Sequence, residues 1–349
     1  MRTSLRNYVT TSLEACGEGW NRFWFAPTDP IVLGAVRIAT GLMALYWQLS
    51  HTPDLVEFFG RQGILPLEML EVWRGDALNF SYFDEALGAT PLYALHFAGT
   101  FVLLLFTLGI FTRFTSIAAL LVTLSYIHRG PMLTALMEPI LALIQFYLCL
   151  GPSGAALSID AWRQRRSLQA RGLAAAPGVS SWATIAIRLL QVHITAVYAM
   201  MALAKIGSPA WWNGSAIWWL AVRPESPGFW LVPKLAPHLN LIEAWTHAIV
   251  LFELGFPLLV WNRYTRPLAL AVSVPMWLLL ALATGFYTFA FTMLIANLAF
   301  VSPTLLRELL GSKLAAGTAA APQAGKRGAS PAAAQSATFA PLRRARRAT

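Results

Sequence analysis

Tyr198-Ala-Met-Met-Ala-Leu-Ala-Lys205-Ile-Gly-Ser-Pro-Ala-Trp211-Trp-Asn-Gly214 ends an apolar run on a lysine, breaks at Gly207-Ser208-Pro209 and then lays down paired tryptophans. The chain holds four lysines against twenty-two arginines, so a lysine closing a hydrophobic run departs from its own habit. An amine does proton chemistry that a guanidinium cannot, because desolvation moves an amine's proton affinity while a guanidinium keeps its charge. Counting back from Lys205 at helical pitch, Thr184, Arg188, Gln191, Thr195, Tyr198 and Lys205 share roughly a 100° sector. Gln191, Tyr198 and Lys205 lie seven apart and stack along one line. Hydrocarbon does not tolerate such a line. The pattern therefore predicts an apolar helix over Trp182 to Ala204 whose polar seam faces protein or a wet cavity. The plain structural alternative is a lysine snorkelling at the membrane edge above a seam used only for packing.

The whole chain supports a membrane setting. Hydrophobic residues make 57% of it, charged residues 12%, and the mean hydropathy is +0.56, which excludes an ordinary soluble domain. Cys16 and Cys149 form no CxxC or Cys/His spacing, so neither a metal site nor a disulfide framework is expected. The net charge of +10 sits in loops and tail beside apolar runs, where it marks topology and predicts no nucleic-acid partner.

Hydropathy and charge predict an all-helical, polytopic transmembrane bundle of about eight spans with both termini in the cytoplasm. The spans are Ile31 to Leu49, Pro91 to Phe111, Phe114 to His128, Met132 to Leu150, Trp182 to Ala204, Leu241 to Trp261, Pro267 to Ala283 and Gly285 to Val301. Residues 1–30 read as a cytoplasmic or interfacial segment, 31–303 as the membrane domain and 304–349 as a disordered basic tail. Residues 50–90 carry seven acids against two arginines and belong outside, as do 208–240. Residues 151–181, with Arg163, Arg165, Arg166 and Arg171 against Asp160, belong inside. A multi-pass membrane protein follows from this pattern, and the bacterial cytoplasmic (inner) membrane is its expected location.

Ionisable residues within spans are site candidates, since each is costly in lipid unless paired. Arg37 lies about two turns into the first span. Glu138 precedes Pro139, which is expected to kink the fourth span, and the sixth holds His247 and Glu253. His96, His128, Arg129, Glu138, Lys205 and His247 all fall toward outer span ends, which predicts a site open to the exterior. His193 lies opposite the seam and reads as a packing residue. No Walker loop, GxSxG, HExxH or strand-borne GxGxxG is present.

Several stretches together resemble one family. Pro27-Thr-Asp-Pro-Ile-Val-Leu-Gly-Ala-Val-Arg37-Ile-Ala-Thr-Gly41 looks like the opening of the membrane domain of vitamin K-dependent gamma-carboxylases and their bacterial relatives, the horizontally transferred transmembrane (HTTM) domain. Leu157-Ser-Ile-Asp160 is similar to that family's Ser-hydrophobic-Asp. Tyr198, Lys205, Trp211 and Gly214 resemble its central lysine motif, and Phe289-Ala-Phe-Thr-Met-Leu294 with Phe300-Val-Ser-Pro303 its last span. The resemblance implies Lys205 as the base that deprotonates a quinol, with a vitamin K-like quinone as cofactor. Around Trp277, where relatives often carry a histidine, this chain is apolar. The resemblance also stops before the family's luminal substrate-binding domain, so carboxylation of a peptide is not implied.

Two readings of different class stay open. In one, the chain is an enzyme of proton-transfer or redox type acting on a lipid-soluble, quinol-like substrate, with Lys205 as base. Tyr198, Gln191, Arg37, Glu138, His247 and Glu253 are then candidate orienting groups. In the other, it is a non-catalytic membrane factor for maturation or export of a secreted peptide, or a partner of a redox protein. A transporter is disfavoured because no inverted pair of broken helices is evident. The topology is directly testable by labelling whole cells with an impermeant thiol reagent. A cysteine introduced at Asn79 should react and one at Ser167 should not, and the reverse result would invert the arrangement.

Overall fold

A computed structural model of the chain describes residues 2–74, 80–86, 88–173, 178–224 and 226–311. In order it forms α1 (Arg2–Phe25), α2 (Ile31–Ser50), α3 (Leu55–Phe59), α4 (Leu67–Arg74), α5 (Ala89–Leu108), α6 (Thr112–Arg129), α7 (Met137–Leu150) and α8 (Ile159–Ala170). There follow α9 (Ser181–Ile206), α10 (Pro209–Trp212), α11 (Ala216–Ala221), α12 (Val232–Leu235), α13 (Leu239–Leu259), α14 (Arg266–Thr284), α15 (Tyr287–Asn297) and α16 (Pro303–Leu309). The described residues contain no strand; Thr28 and Ser180 form a single antiparallel bridge.

Five helical runs are long and apolar enough to cross a membrane: α2, α5, α9, the run Ala236–Leu259 and α14. A sixth is reached if α15, with its 3-10 extension to Phe300, and α16 are one span, bent by 114° at the break. Leu42, Phe97, Phe101, Leu251 and Leu258 point outward from these helices while Arg37, Gln48, His96 and Glu253 are fully buried. A surface more apolar than parts of the interior suits lipid, not water.

Several expected boundaries shift. The fourth span begins at Met137, five residues later than expected, because the backbone turns over residues 131–133 and runs irregularly through Thr134 and Ala135 before it. Pro139 therefore lies in the first turn of α7, where its missing N–H leaves no gap, and it produces no kink. Ordered helix also continues past residue 303: α16 is tied back to the start of the membrane region by Arg307, whose Nε lies 2.5 Å from Asp29 Oδ2. The rest of the expected tail, from residue 312, lies outside the described residues.

Two groups of helices make the bundle. In the first, α2 packs on α5, α5 on α6, α6 on α7 and α7 back on α2. In the second, α9 packs on α13 and α14 on α15, with α7, α9 and α15 joining the two groups. Burial of apolar area does little to hold helices together in lipid, so close approach and polar contacts must. Gly41 shows the close approach: a Cβ there would lie 2.2 Å from Thr107 Oγ1, so only glycine lets α2 and α5 touch.

Arginine clamps supply the polar contacts at both ends of the first group. Arg37 Nη1 donates to Ser153 O at 2.5 Å and Ala156 O at 3.4 Å, and Nη2 to Leu157 O at 2.5 Å. At the opposite end Arg129 Nη1 donates to Leu65 O at 3.0 Å and Nη2 to Gly60 O at 2.5 Å. Each buried guanidinium satisfies the carbonyls of a connecting loop that would otherwise face an apolar interior.

Beside Arg37, Ser158 caps α8, its Oγ accepting from Ala161 N at 2.8 Å. Asp160 caps α6: Oδ1 accepts from Phe111 N at 3.1 Å and Oδ2 from Thr112 N and Thr112 Oγ1, both at 2.8 Å. Burial works to raise the Asp160 pKa, but these three donors, with Arg163 nearby, outweigh it and hold the carboxyl below its ordinary value. A depressed carboxylate pKa contributes stability above the unfolded value of about 3.9 and loses it as pH falls through the folded value. Asp160→Ala should therefore cost about 1 kcal/mol at neutral pH. Thermal unfolding in detergent should show that deficit shrinking on acidification; a deficit unchanged below about pH 3 would contradict the capping role.

Candidate functional site

α9 delivers the polar seam as a ladder, and every rung has a partner in the protein. Thr184 Oγ1 donates to Ala26 O at 2.5 Å. Arg188 Nε donates to Phe23 O at 3.3 Å, and its Nη1 to Gln191 Oε1 at 3.0 Å. Gln191 Nε2 donates to Ala299 O at 2.7 Å, and Thr195 Oγ1 to Gln191 O at 2.7 Å. The Tyr198 hydroxyl accepts from Trp277 Nε1 at 2.8 Å, and Asn297 brackets it with Nδ2 at 2.9 Å and Oδ1 at 3.2 Å. Phe256 stacks on the Tyr198 ring at 4.0 Å between centroids. The seam faces protein along its whole length.

Lys205 is the last rung. Its Nζ lies 2.7 Å from Glu253 Oε1 and 2.6 Å from Oε2, and Glu253 is completely buried on α13. The lysine side chain keeps 17% of its surface exposed, so the pair has one dry member and one edge open. Opposite unit charges about 4 Å apart attract by roughly 4 kcal/mol at an effective dielectric of 20. Burial costs several kcal/mol per ion, so the two effects nearly cancel. The pair is therefore no large net source of stability, yet either half alone would be an uncompensated charge in an apolar bundle. Placement in the last turn of α9 also sets the ammonium against the negative end of the helix dipole.

The local sequence covers this pair. Gly207 ends α9, and Pro209 opens α10 at a position where its missing N–H costs nothing. The turn brings the Trp211 ring to 5.0 Å from Lys205 Nζ, over its face. Gly214, at φ +78, lets the loop return onto α13: a Cβ there would lie 2.3 Å from Glu243 Cγ. His247 Nε2 lies 3.1 Å from Trp212 O, beside the covering loop.

Of the predicted residues, the structure brings Lys205 and Glu253 into contact and places His247 at the cover. Tyr198 and Gln191 share the helix, but their polar atoms are held by Trp277, Asn297, Arg188 and Ala299. Arg37 and Glu138 are not brought to Lys205. The Arg37 Nη atoms are bound to loop carbonyls, and Glu138 Oε2 accepts from Ala135 N at 2.8 Å at the start of its own helix. His193, opposite the seam, meets the Tyr147 hydroxyl at 3.0 Å and is exposed, not packed inside. Sequence reasoning missed Trp277 and Asn297. The signal for Asn297 was present, as a lone amide in the apolar run Phe289 to Phe300. Trp277 gave none, because an indole is read as apolar until its N–H is given a partner.

Two depressions, of about 830 and 820 Å³, lie elsewhere: one among Asp54, Arg61 and Leu92, the other among Arg113, Cys149 and Trp182. Lys205 therefore stands at a covered edge, not inside either of them.

Comparison with protein-family models, curated proteins and solved structures gave no match.

The geometry predicts a non-additive pair. Glu253→Leu and Lys205→Met should each destabilise the protein by about 3–5 kcal/mol, whereas the Lys205→Met/Glu253→Leu double variant should recover most of the loss. Denaturant unfolding in detergent measures all three. Additive losses would mean that the two side chains do not form this pair.

Proposed function

We propose that the chain is a multi-pass protein of the bacterial cytoplasmic membrane, akin to the membrane domain of vitamin K-dependent carboxylases. In this reading it removes a proton from a lipid-soluble, quinol-like molecule that reaches Lys205 from the periplasmic side. The observation that carries the reading is the mostly buried lysine, with one edge open, bound through both carboxylate oxygens to a fully buried glutamate, under a tryptophan. A snorkelling lysine needs no buried acid. An arrangement of eight spans with both termini inside adds α6 and the 14-residue α7 to the six apolar candidates, and agrees with the segregation of acids and arginines along the chain.

At rest the pair is ionised and self-neutralising. A bound molecule that excludes water raises the cost of two separated charges and favours return of one lysine proton to Glu253, leaving amine beside acid. The amine Nζ then takes the proton of a substrate hydroxyl, giving ammonium and phenolate, with one proton lost by substrate and one gained by the pair. Trp211 covers the ammonium face. Tyr198 and Gln191 act through position: their hydrogen bonds fix α9 against α14 and α15, and so fix where Lys205 stands. The vitamin K-like quinone itself is a proposal that rests on the sequence resemblance.

A second reading is favoured by the same contact. Both carboxylate oxygens engage the ammonium, as they would in a bridge that only ties α9 to α13. The chain is then a membrane factor assisting maturation or export of a secreted peptide, with no catalytic base.

Purified protein supplied with a reduced naphthoquinol and followed by ultraviolet absorbance separates the two. The first reading predicts faster consumption than protein-free detergent, and a loss of about 10²–10⁴-fold in Lys205→Ala. Lys205→Arg should lose as much while remaining folded, because a guanidinium keeps charge but cannot give up its proton. Full activity in Lys205→Arg would end the catalytic reading. No consumption by the parent protein would favour the second.

A further inference from the structure

Among the described residues, ten buried polar side-chain atoms have no hydrogen-bond partner in the chain; beside Trp24 Nε1 and one atom each of the ion-paired Arg74 and Asp84, seven lie in the first helix group or the loop against it. They are Tyr82 Oη, Gln48 Oε1, Thr123 Oγ1, both amide atoms of Gln145, Thr40 Oγ1 and Arg37 Nε. The ladder on α9 contributes none. The two halves of the bundle thus solve the same problem differently.

These atoms form a sequence along the bundle. At one end Thr52 Oγ1 lies 2.9 Å from His96 Nε2, and His96 Nδ1 lies 2.6 Å from the Tyr126 hydroxyl. Gln48 Nε2 donates to His96 O at 2.8 Å and Thr100 Oγ1 at 2.9 Å, which leaves its own Oε1 free. Gly99 meets both Tyr82 Oη and Gln48 Nε2: a Cβ there would be 3.0 and 3.1 Å from them. From this cluster the others recede in the same direction. Thr123 is one turn along α6 from Tyr126, Gln145 two turns along α7 from Glu138, and Thr40 two turns along α2 from Gln48. Arg37 follows Thr40 by one further turn. The series covers about 16 Å, from the eleven residues between Gln48 and Arg37 at the helical rise.

We infer that ordered water fills this line, forming a hydrogen-bonded column through the α2, α5, α6 and α7 group from the Thr52–His96–Tyr126 chain toward Arg37. Left dry, seven such groups would together cost an amount comparable with the net stability of an ordinary domain. Water can serve a hydroxyl, an amide and a guanidinium in turn, because it both donates and accepts. The column does not depend on Lys205, and it makes this half of the bundle the wettable one.

Hydroxyl-radical footprinting by X-ray radiolysis tests this on the native protein, because radicals formed from bound water label adjacent side chains even when these are buried. Tyr126 and Trp47 line the column, their rings 5.5 Å apart. Tyr198 and Trp277 are fully buried, as Tyr126 nearly is, but partnered within the chain, and serve as internal controls. Labelling of Tyr126 and Trp47 at rates comparable with exposed Trp230 and Tyr264, with Tyr198 and Trp277 protected, is expected. Protection of all four overturns the proposal. Gln145→Met gives an independent reading: it keeps the side-chain length and removes both amide atoms. A lower Tm supports a hydrated amide, and a higher Tm, the result for an unpaired dry one, overturns it.

Discussion

A charge inside an apolar bundle must be answered within the protein, and the pair between Lys205 and Glu253 is where this constraint is tightest. Glu253 has no surface exposed and, among the described residues, no other cation bound to it, so α13 can hold it only if α9 presents Lys205 at that height. Attraction and desolvation nearly balance, which leaves the pair poised: stable as a unit, costly as halves and sensitive to what covers it. Arg37 and Arg129 meet the same constraint with backbone carbonyls, and their charge is committed to holding loops. A carboxylate can accept a proton from its partner, whereas a carbonyl cannot. That difference separates a candidate chemical centre from two structural clamps that, by sequence alone, belong to one class of intramembrane ionisable residue.

The ladder below Lys205 fixes its position. Apart from Thr195, which bonds within α9, the polar side chains on that face reach other elements in turn: α1 and the segment after it, the extension of α15, then α14 and α13. A single helical stripe thereby sets the relative heights of several helices, which an apolar interface in lipid would leave free to slide. Trp277 and Asn297 converge on one hydroxyl, so the Tyr198 ring is fixed in rotation two turns from the lysine.

Much of this was readable from periodicity. The stripe on α9 follows from helical pitch, and its meeting with protein follows from the cost of exposing it to lipid. The choice of Glu253 over Glu138 as partner was not readable, because each is a lone acid in an apolar run and only the packing of α13, not α7, on that face of α9 decides between them. Pro139 was misplaced for a local reason: hydropathy runs on smoothly through Met132 to Leu150, while the backbone turns over residues 131–133 and starts its helix only at Met137. The cluster around His96, Tyr126, Tyr82 and Gln48 is assembled from three helices and a loop. No spacing within one segment announces it, although His96 stood out as an ionisable residue in an apolar run.

The most direct measurement of whether Lys205 serves a lipid-soluble, redox-active molecule is mass spectrometry of the lipids extracted from detergent-purified protein. A quinone recovered in near-stoichiometric amount from the parent protein, and depleted when Trp211 is replaced by alanine, is the expected result. Extracts holding only bulk phospholipid, identical for the two proteins, would contradict it.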